Sequence, residues 1–181
     1  MTIHASKGLE FPYVFAAGLG RPFNKMDFHL PYLFDQDFGL AVKMIDPEKR
    51  LQYTSLPFLA VKEKKLLEMK SEEMRILYVA MTRAKEKLYL VGHVKDWETT
   101  QVRWQEMLHL SLDEPLPPYV RRTANSYFDW IGPAVARHAD YQTQLSLPLA
   151  ARKDEPSRFD IQIVDVTQFQ AADITEEATN V

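Results

Sequence analysis

The chain has 181 residues, 46% of them hydrophobic and 26% charged, a net charge of −3 and no cysteine. That is a globular composition with length for one sizeable core and a small appendage, and it excludes disulfides and cysteine-ligated metals within the chain. It fits a reducing, cytoplasmic compartment and argues against a uniformly basic coat for nucleic acid. No apolar run approaches the roughly 18 residues of a membrane-spanning helix, and no apolar leader follows Met1, so we expect neither a membrane segment nor a signal peptide.

Taken in chain order, Thr2-Ile3 reads as the end of a strand and Ser6-Lys7-Gly8 as a tight turn. Tyr13 to Ala17 is an apolar run of buried-strand type, stopped by Gly18 and Gly20. A turn of backbone N–H groups and one ammonium before a strand suits a phosphate or a ribose, although such turns also occur without any ligand. Residues 30–34 and 40–44 are strand-like runs around Asp35-Gln36-Asp37-Phe38-Gly39, which predicts a hairpin. Asp35 and Asp37 are read as turn residues and not as metal ligands. A polar turn follows at 46–50.

Pro57 opens a long helix, from about Phe58 to Lys85. Leu67, Met74, Leu77, Met81 and Ala84 form one apolar stripe on it, and Tyr78 is expected to pack. Glu72, Arg75, Val79 and Arg83 fall on another face. Such a face is ordinarily a solvated array of paired charges. Two guanidinium groups also suit phosphate oxygens. Residues 62–87 hold eight Lys or Arg against five acids, which is compatible with phosphate contact. Leu88 to Val91 is a short strand closed by Gly92, so helix and strand together suggest an α/β layer.

A helix from Trp97 to about Leu110 should bring Trp97 and Trp104, seven apart, onto one face. Residues 113–118 form a proline-rich connector. Ala124, Tyr127, Phe128, Ile131, Val135 and His138 keep helical spacing, with a break expected at Gly132-Pro133. Tyr141 to Arg158 reads as a mobile linker, Phe159 to Val166 as a strand, and Ala171 to Val181 as a frayed acidic tail.

Three stretches resemble known proteins. Glu72-Glu73-Met74-Arg75-Ile76-Leu77-Tyr78-Val79-Ala80-Met81-Thr82-Arg83-Ala84-Lys85 resembles the sixth motif of superfamily 1 DNA helicases of the UvrD type. Thr2-Ile3-His4-Ala5-Ser6-Lys7-Gly8-Leu9-Glu10-Phe11 resembles their fifth. Residues 124–138 are similar to the segment that follows the sixth motif in the AddA family of bacterial ATP-dependent helicase/nucleases. The resemblance implies an α/β fold. It would be part of a RecA-like second motor domain, of the P-loop NTPase superfamily, with a mostly parallel sheet and a helical and strand extension.

By the same resemblance the function is that of an ATP-dependent DNA helicase/exonuclease component in double-strand break repair and recombination. Arg83 would be the catalytic arginine that reaches the γ-phosphate of ATP. Gly8, Glu10 and Arg75 would join it at the nucleotide. Thr2, His4, Ser6 and Lys7 would lie toward DNA or support the loop. The implied cofactor is ATP with Mg²⁺. The implied partners are DNA, the first motor domain and a second helicase/nuclease subunit.

Other family parts are missing from the sequence: the phosphate loop Gly-x-x-x-x-Gly-Lys-Ser/Thr, an Asp-Glu pair for Mg²⁺, and the nuclease acids and iron–sulfur cysteines. The chain is therefore expected to be a piece of a longer protein, inactive alone. Its expected divisions are 1–112 as motor domain, 113–122 as connector, 123–139 as helical extension, and 140–181 as a linker and strand leading toward a nuclease domain. Two other readings stand beside this one. One is a non-catalytic helicase-like scaffold, and the other is a docking module that presents Trp97 and Trp104 to a protein.

Overall fold

The structure is a computed structural model that describes residues 2–3, 6, 8–110, 113–145 and 157–165. Its α/β character rests on one unit. Strand β1 (Phe11–Ala16) lies parallel to β6 (Ala84–Leu90), with Val14 opposite Leu88 and Ala16 opposite Leu90. Parallel neighbours require a long crossover, and here it contains two hairpins and the helix α1 (Leu56–Met81). The first hairpin is the expected one: β2 (Tyr32–Asp35) pairs with β3 (Gly39–Val42). Asp35 Oδ1 accepts the N–H groups of Asp37 and Phe38 at 3.0 and 3.1 Å, so Asp35 is a turn residue. The second hairpin, β4 (Met44–Asp46) with β5 (Leu51–Tyr53), shows in the sequence only as its polar turn. Three-residue strands are too short to display an alternating pattern.

α1 begins where expected. The Ser55 hydroxyl caps the Phe58 N–H at 3.3 Å, and Pro57 occupies the first turn. Its end corrects the sequence reading. The helix stops at Met81, because Thr82 and Arg83 turn the chain so that β6 starts at Ala84. The apolar stripe is corrected as well. Leu77 is buried, but Leu67, Met74 and Met81 are exposed, while Phe58, Val61 and Ala80 are buried. Tyr78 does not pack and is 67% exposed. The reason is that α1 serves two cores. Its first turns close the hairpin with Leu33 and Ala41, and its last turns join Leu19, Phe23, Ala124, Trp130 and Ile131.

α2 (Trp97–Gln105) is capped by Asp96, whose carboxylate accepts the Thr99 N–H at 3.1 Å. The two tryptophans do meet, edge to face, with centroids 5.5 Å apart. The connector contains a short helix, α3 (Pro118–Thr123). α4 (Phe128–Ala136) runs through Pro133 without the expected break. Tertiary packing overrides the proline there: Gly132 lies so close to the Trp104 ring that a Cβ would stand 1.9 Å from it.

The stretch expected as a mobile linker carries α5 (Ala139–Gln144), with Tyr141 and Gln142 fully buried. Among the described residues, 157–165 form no strand. This segment is held by side chains instead. Gln144 bonds Phe159 and Ile161, and Asp140 accepts the Phe159 N–H at 2.8 Å. Val166 and the acidic tail lie outside the described residues.

Candidate nucleotide and nucleic-acid site

The start of the chain and the end of α1 are joined by the strand pairing. Residues 2–6 are not a strand end but a tight turn, because the Ser6 N–H reaches back to the carbonyls of Thr2 and Ile3. Ser6 is buried, and its hydroxyl donates to the Ile3 carbonyl at 2.7 Å, so it shapes the loop. Gly8 turns the chain with φ +83°, a region that favours glycine, and nothing stands within 4 Å of where a Cβ would be. A ligand can therefore approach the backbone there. Thr2 is exposed. His4 and Lys7 lie outside the described residues.

Arg83 is the link between the two segments. Its carbonyl accepts the Phe11 N–H at 2.9 Å. Its side chain donates from Nε to the Val79 carbonyl (2.9 Å), from Nη1 to the Leu9 carbonyl (3.0 Å) and from Nη2 to Thr82 Oγ1 (3.1 Å). Two positions further on, the Lys85 ammonium lies 3.0 Å from Glu10 Oε2, both more than half exposed. Arg83, Gly8 and Glu10 thus share one place, as expected of nucleotide contacts. Arg75 does not join them. It is paired with Glu72 on the open flank of α1, about 12 Å along the helix axis from Arg83.

Two residues of this junction, Thr82 and Lys85, carry no individual signal in the sequence. What points to them is their place in the Thr82-Arg83-Ala84-Lys85 string. Among the described residues, no group of three or more His, Asp or Glu is placed to hold a metal ion. No helix among them is long and apolar enough to cross a membrane. The docking reading for Trp97 and Trp104 loses its anchor, because Trp104 is buried against Ala136, Tyr141 and Phe128.

Comparison with known proteins agrees with this placement. Residues 1–95 match the family described as the UvrD-like helicase C-terminal domain. The AddA-type ATP-dependent helicase/nuclease subunit of Lysinibacillus sphaericus is 64% identical over 169 residues, covering 93% of this chain and 14% of that protein. The corresponding subunits of Bacillus velezensis and Bacillus licheniformis are 46% and 48% identical over 181 residues, covering 15% and 14% of their lengths. The chain thus spans about one-seventh of these relatives, and their similarity extends well past the family match, through the helices after residue 95.

Proposed function

Because the chain belongs to the UvrD-like helicase C-terminal domain family, we propose that it is part of the second, RecA-like motor domain of a cytoplasmic ATP-dependent helicase/nuclease subunit of the AddA type. The observation that carries this is the junction itself. One arginine at the end of α1 holds the loop that precedes β1, beside a glycine open to approach and an exposed carboxylate.

The residues present fit a nucleotide. Arg83 keeps N–H groups for phosphate oxygens, Glu10 can accept from ribose hydroxyls, and Gly8 leaves its backbone accessible. Bound ATP with Mg²⁺ supplies the phosphoryl group whose transfer drives the motor. Arg83 donates to its oxygens as negative charge develops, and this lowers the barrier more than it strengthens ground-state binding. Through the Leu9 carbonyl, the position of Arg83 is felt by the loop of Thr2, His4, Ser6 and Lys7, which lies toward DNA. In this way hydrolysis is linked to grip on the strand. The first motor domain completes the nucleotide site, and a second helicase/nuclease subunit completes the assembly for double-strand break repair and recombination. Residues 1–112, 113–122, 123–139 and 140–181 serve it as motor domain, connector, helical extension and linker toward the nuclease.

The test is Arg83→Ala in the full-length subunit, read by DNA-stimulated ATP turnover. Turnover should fall roughly a thousandfold, in the range of other arginine fingers, with nucleotide affinity little changed. Turnover near wild type would overturn the reading.

A further inference from the structure

Arginine carries five N–H donors in one plane. In Arg83 three are engaged, and the remaining two, one on each terminal nitrogen, have no partner among the described residues. That pair forms a planar fork suited to two oxygens of one phosphate. Two of the three acceptors that hold the guanidinium are backbone carbonyls, of Val79 and Leu9. The third is the only side chain, the hydroxyl of Thr82.

The hydroxyl is itself fixed. Its hydrogen points to the carbonyls of Tyr78 and Val79, at 3.0 and 3.1 Å. These belong to the last turn of α1, whose carbonyls lack helical partners. With its hydrogen directed there, Thr82 Oγ1 presents a lone pair to Arg83 Nη2. A hydroxyl with one donor and two acceptor sites satisfies both sides at once.

We propose that Thr82 is a positioning residue that sets the aim of the Arg83 fork toward phosphate. This rests on the reading of Arg83 given above. Thr82 touches no phosphate itself. It keeps the guanidinium from rotating about its last bonds, so the two remaining N–H groups wait in the orientation that the transition state needs. Removing the hydroxyl leaves Arg83 tethered by two carbonyls and free to swing.

The test uses the full-length subunit with saturating single-stranded DNA. ATP kcat and KM and thermal melting are measured for Thr82→Val, Thr82→Ser, Arg83→Ala and the Thr82→Val/Arg83→Ala double variant. Valine keeps the shape and removes the hydroxyl, whereas serine keeps the hydroxyl. Thr82→Val should lower kcat about tenfold with KM nearly unchanged, since a small misplacement at a reacting centre costs that much or more. Thr82→Ser should restore kcat to within about twofold, and Thr82→Val should add nothing once Arg83 is alanine, because the two act as one unit. A residue that only caps the helix would shift melting, leave kcat per folded molecule intact and show no coupling to Arg83. Three results would overturn the proposal: wild-type kcat in Thr82→Val while Arg83→Ala is inactive, failure of serine to rescue, or additive losses in the double variant. Wild-type turnover in Arg83→Ala would remove the arginine reading along with it.

Discussion

In α4 and α5, Trp130 is 4% exposed and Ala136, Tyr141 and Gln142 are fully buried. At the junction of the opening loop with the end of α1, Gly8, Glu10 and Thr82 face solvent and Arg83 is half-buried. The first region is held by rings against rings: Phe23 lies 5.1 Å from Trp130 and at right angles to Tyr127. The second is held by hydrogen bonds from a single guanidinium and one exposed ion pair. Packed apolar groups cost stability when truncated, because a cavity remains. Exposed polar groups cost little stability, so a strong effect of their loss on turnover points to chemistry. The helical extension is therefore structural, and the junction is where function is to be sought.

The largest expected effect on stability lies in the extension. Trp130→Ala removes a buried indole that packs on Phe23 and Tyr127 and donates to the Arg121 carbonyl at 3.1 Å. It should cost about 3–5 kcal/mol, read by denaturant or thermal unfolding of the 181-residue protein. A cost below about 1 kcal/mol would break the contrast between the regions. Tyr127 adds a second tether, donating its hydroxyl to the Glu73 carboxylate on α1, and burial with that carboxylate pushes its pKa well up.

A smaller effect is expected at the hairpin, where charge and packing meet. Lys64 bonds both carboxylate oxygens of Asp35 at 2.8 and 2.9 Å. That bond, with two backbone N–H groups, holds the Asp35 carboxyl below its usual value, and the same pair raises Lys64. A lowered carboxylate stabilises the fold above its unfolded pKa and loses that contribution as pH falls below about 4. A raised ammonium stabilises below its unfolded pKa and begins to lose that contribution as pH rises past about 10. Melting of wild type and Lys64→Met should differ by a constant amount from about pH 5 to 9, and the gap should close in acid. A gap that persists at about pH 2 would show that Lys64 acts by packing its stem.

How much of this was legible in the sequence differs between the same regions. The apolar run at Tyr13–Ala16, the Asp35–Gly39 turn, the Ser55-Pro57 helix start and the Trp97–Trp104 contact follow from local chemistry, and the structure has them. The buried face of α1 was not legible. A 26-residue helix that closes one core with Phe58 and Val61 and another with Leu77 carries apolar residues on more than one face. Periodicity names the faces without saying which is covered. Pro133 misled because the fit of Gly132 against Trp104 is a tertiary contact. At the junction, Arg83, Gly8 and Glu10 could be chosen by resemblance. That Arg83 rests on the Leu9 carbonyl could not, because a backbone acceptor has no sequence signature.

The central claim is that Arg83 acts through a planar fork, held by Thr82, Val79 and Leu9, and does not act as a bare positive charge. The direct measurement is DNA-stimulated ATP turnover of Arg83→Lys in the full-length subunit, beside its melting temperature. An ammonium keeps the charge but lacks the fork. The account predicts turnover as low as that of Arg83→Ala, roughly a thousandfold below wild type, with a stability loss of only about 1–2 kcal/mol from the missing hydrogen bonds. Turnover near wild type in Arg83→Lys would contradict it.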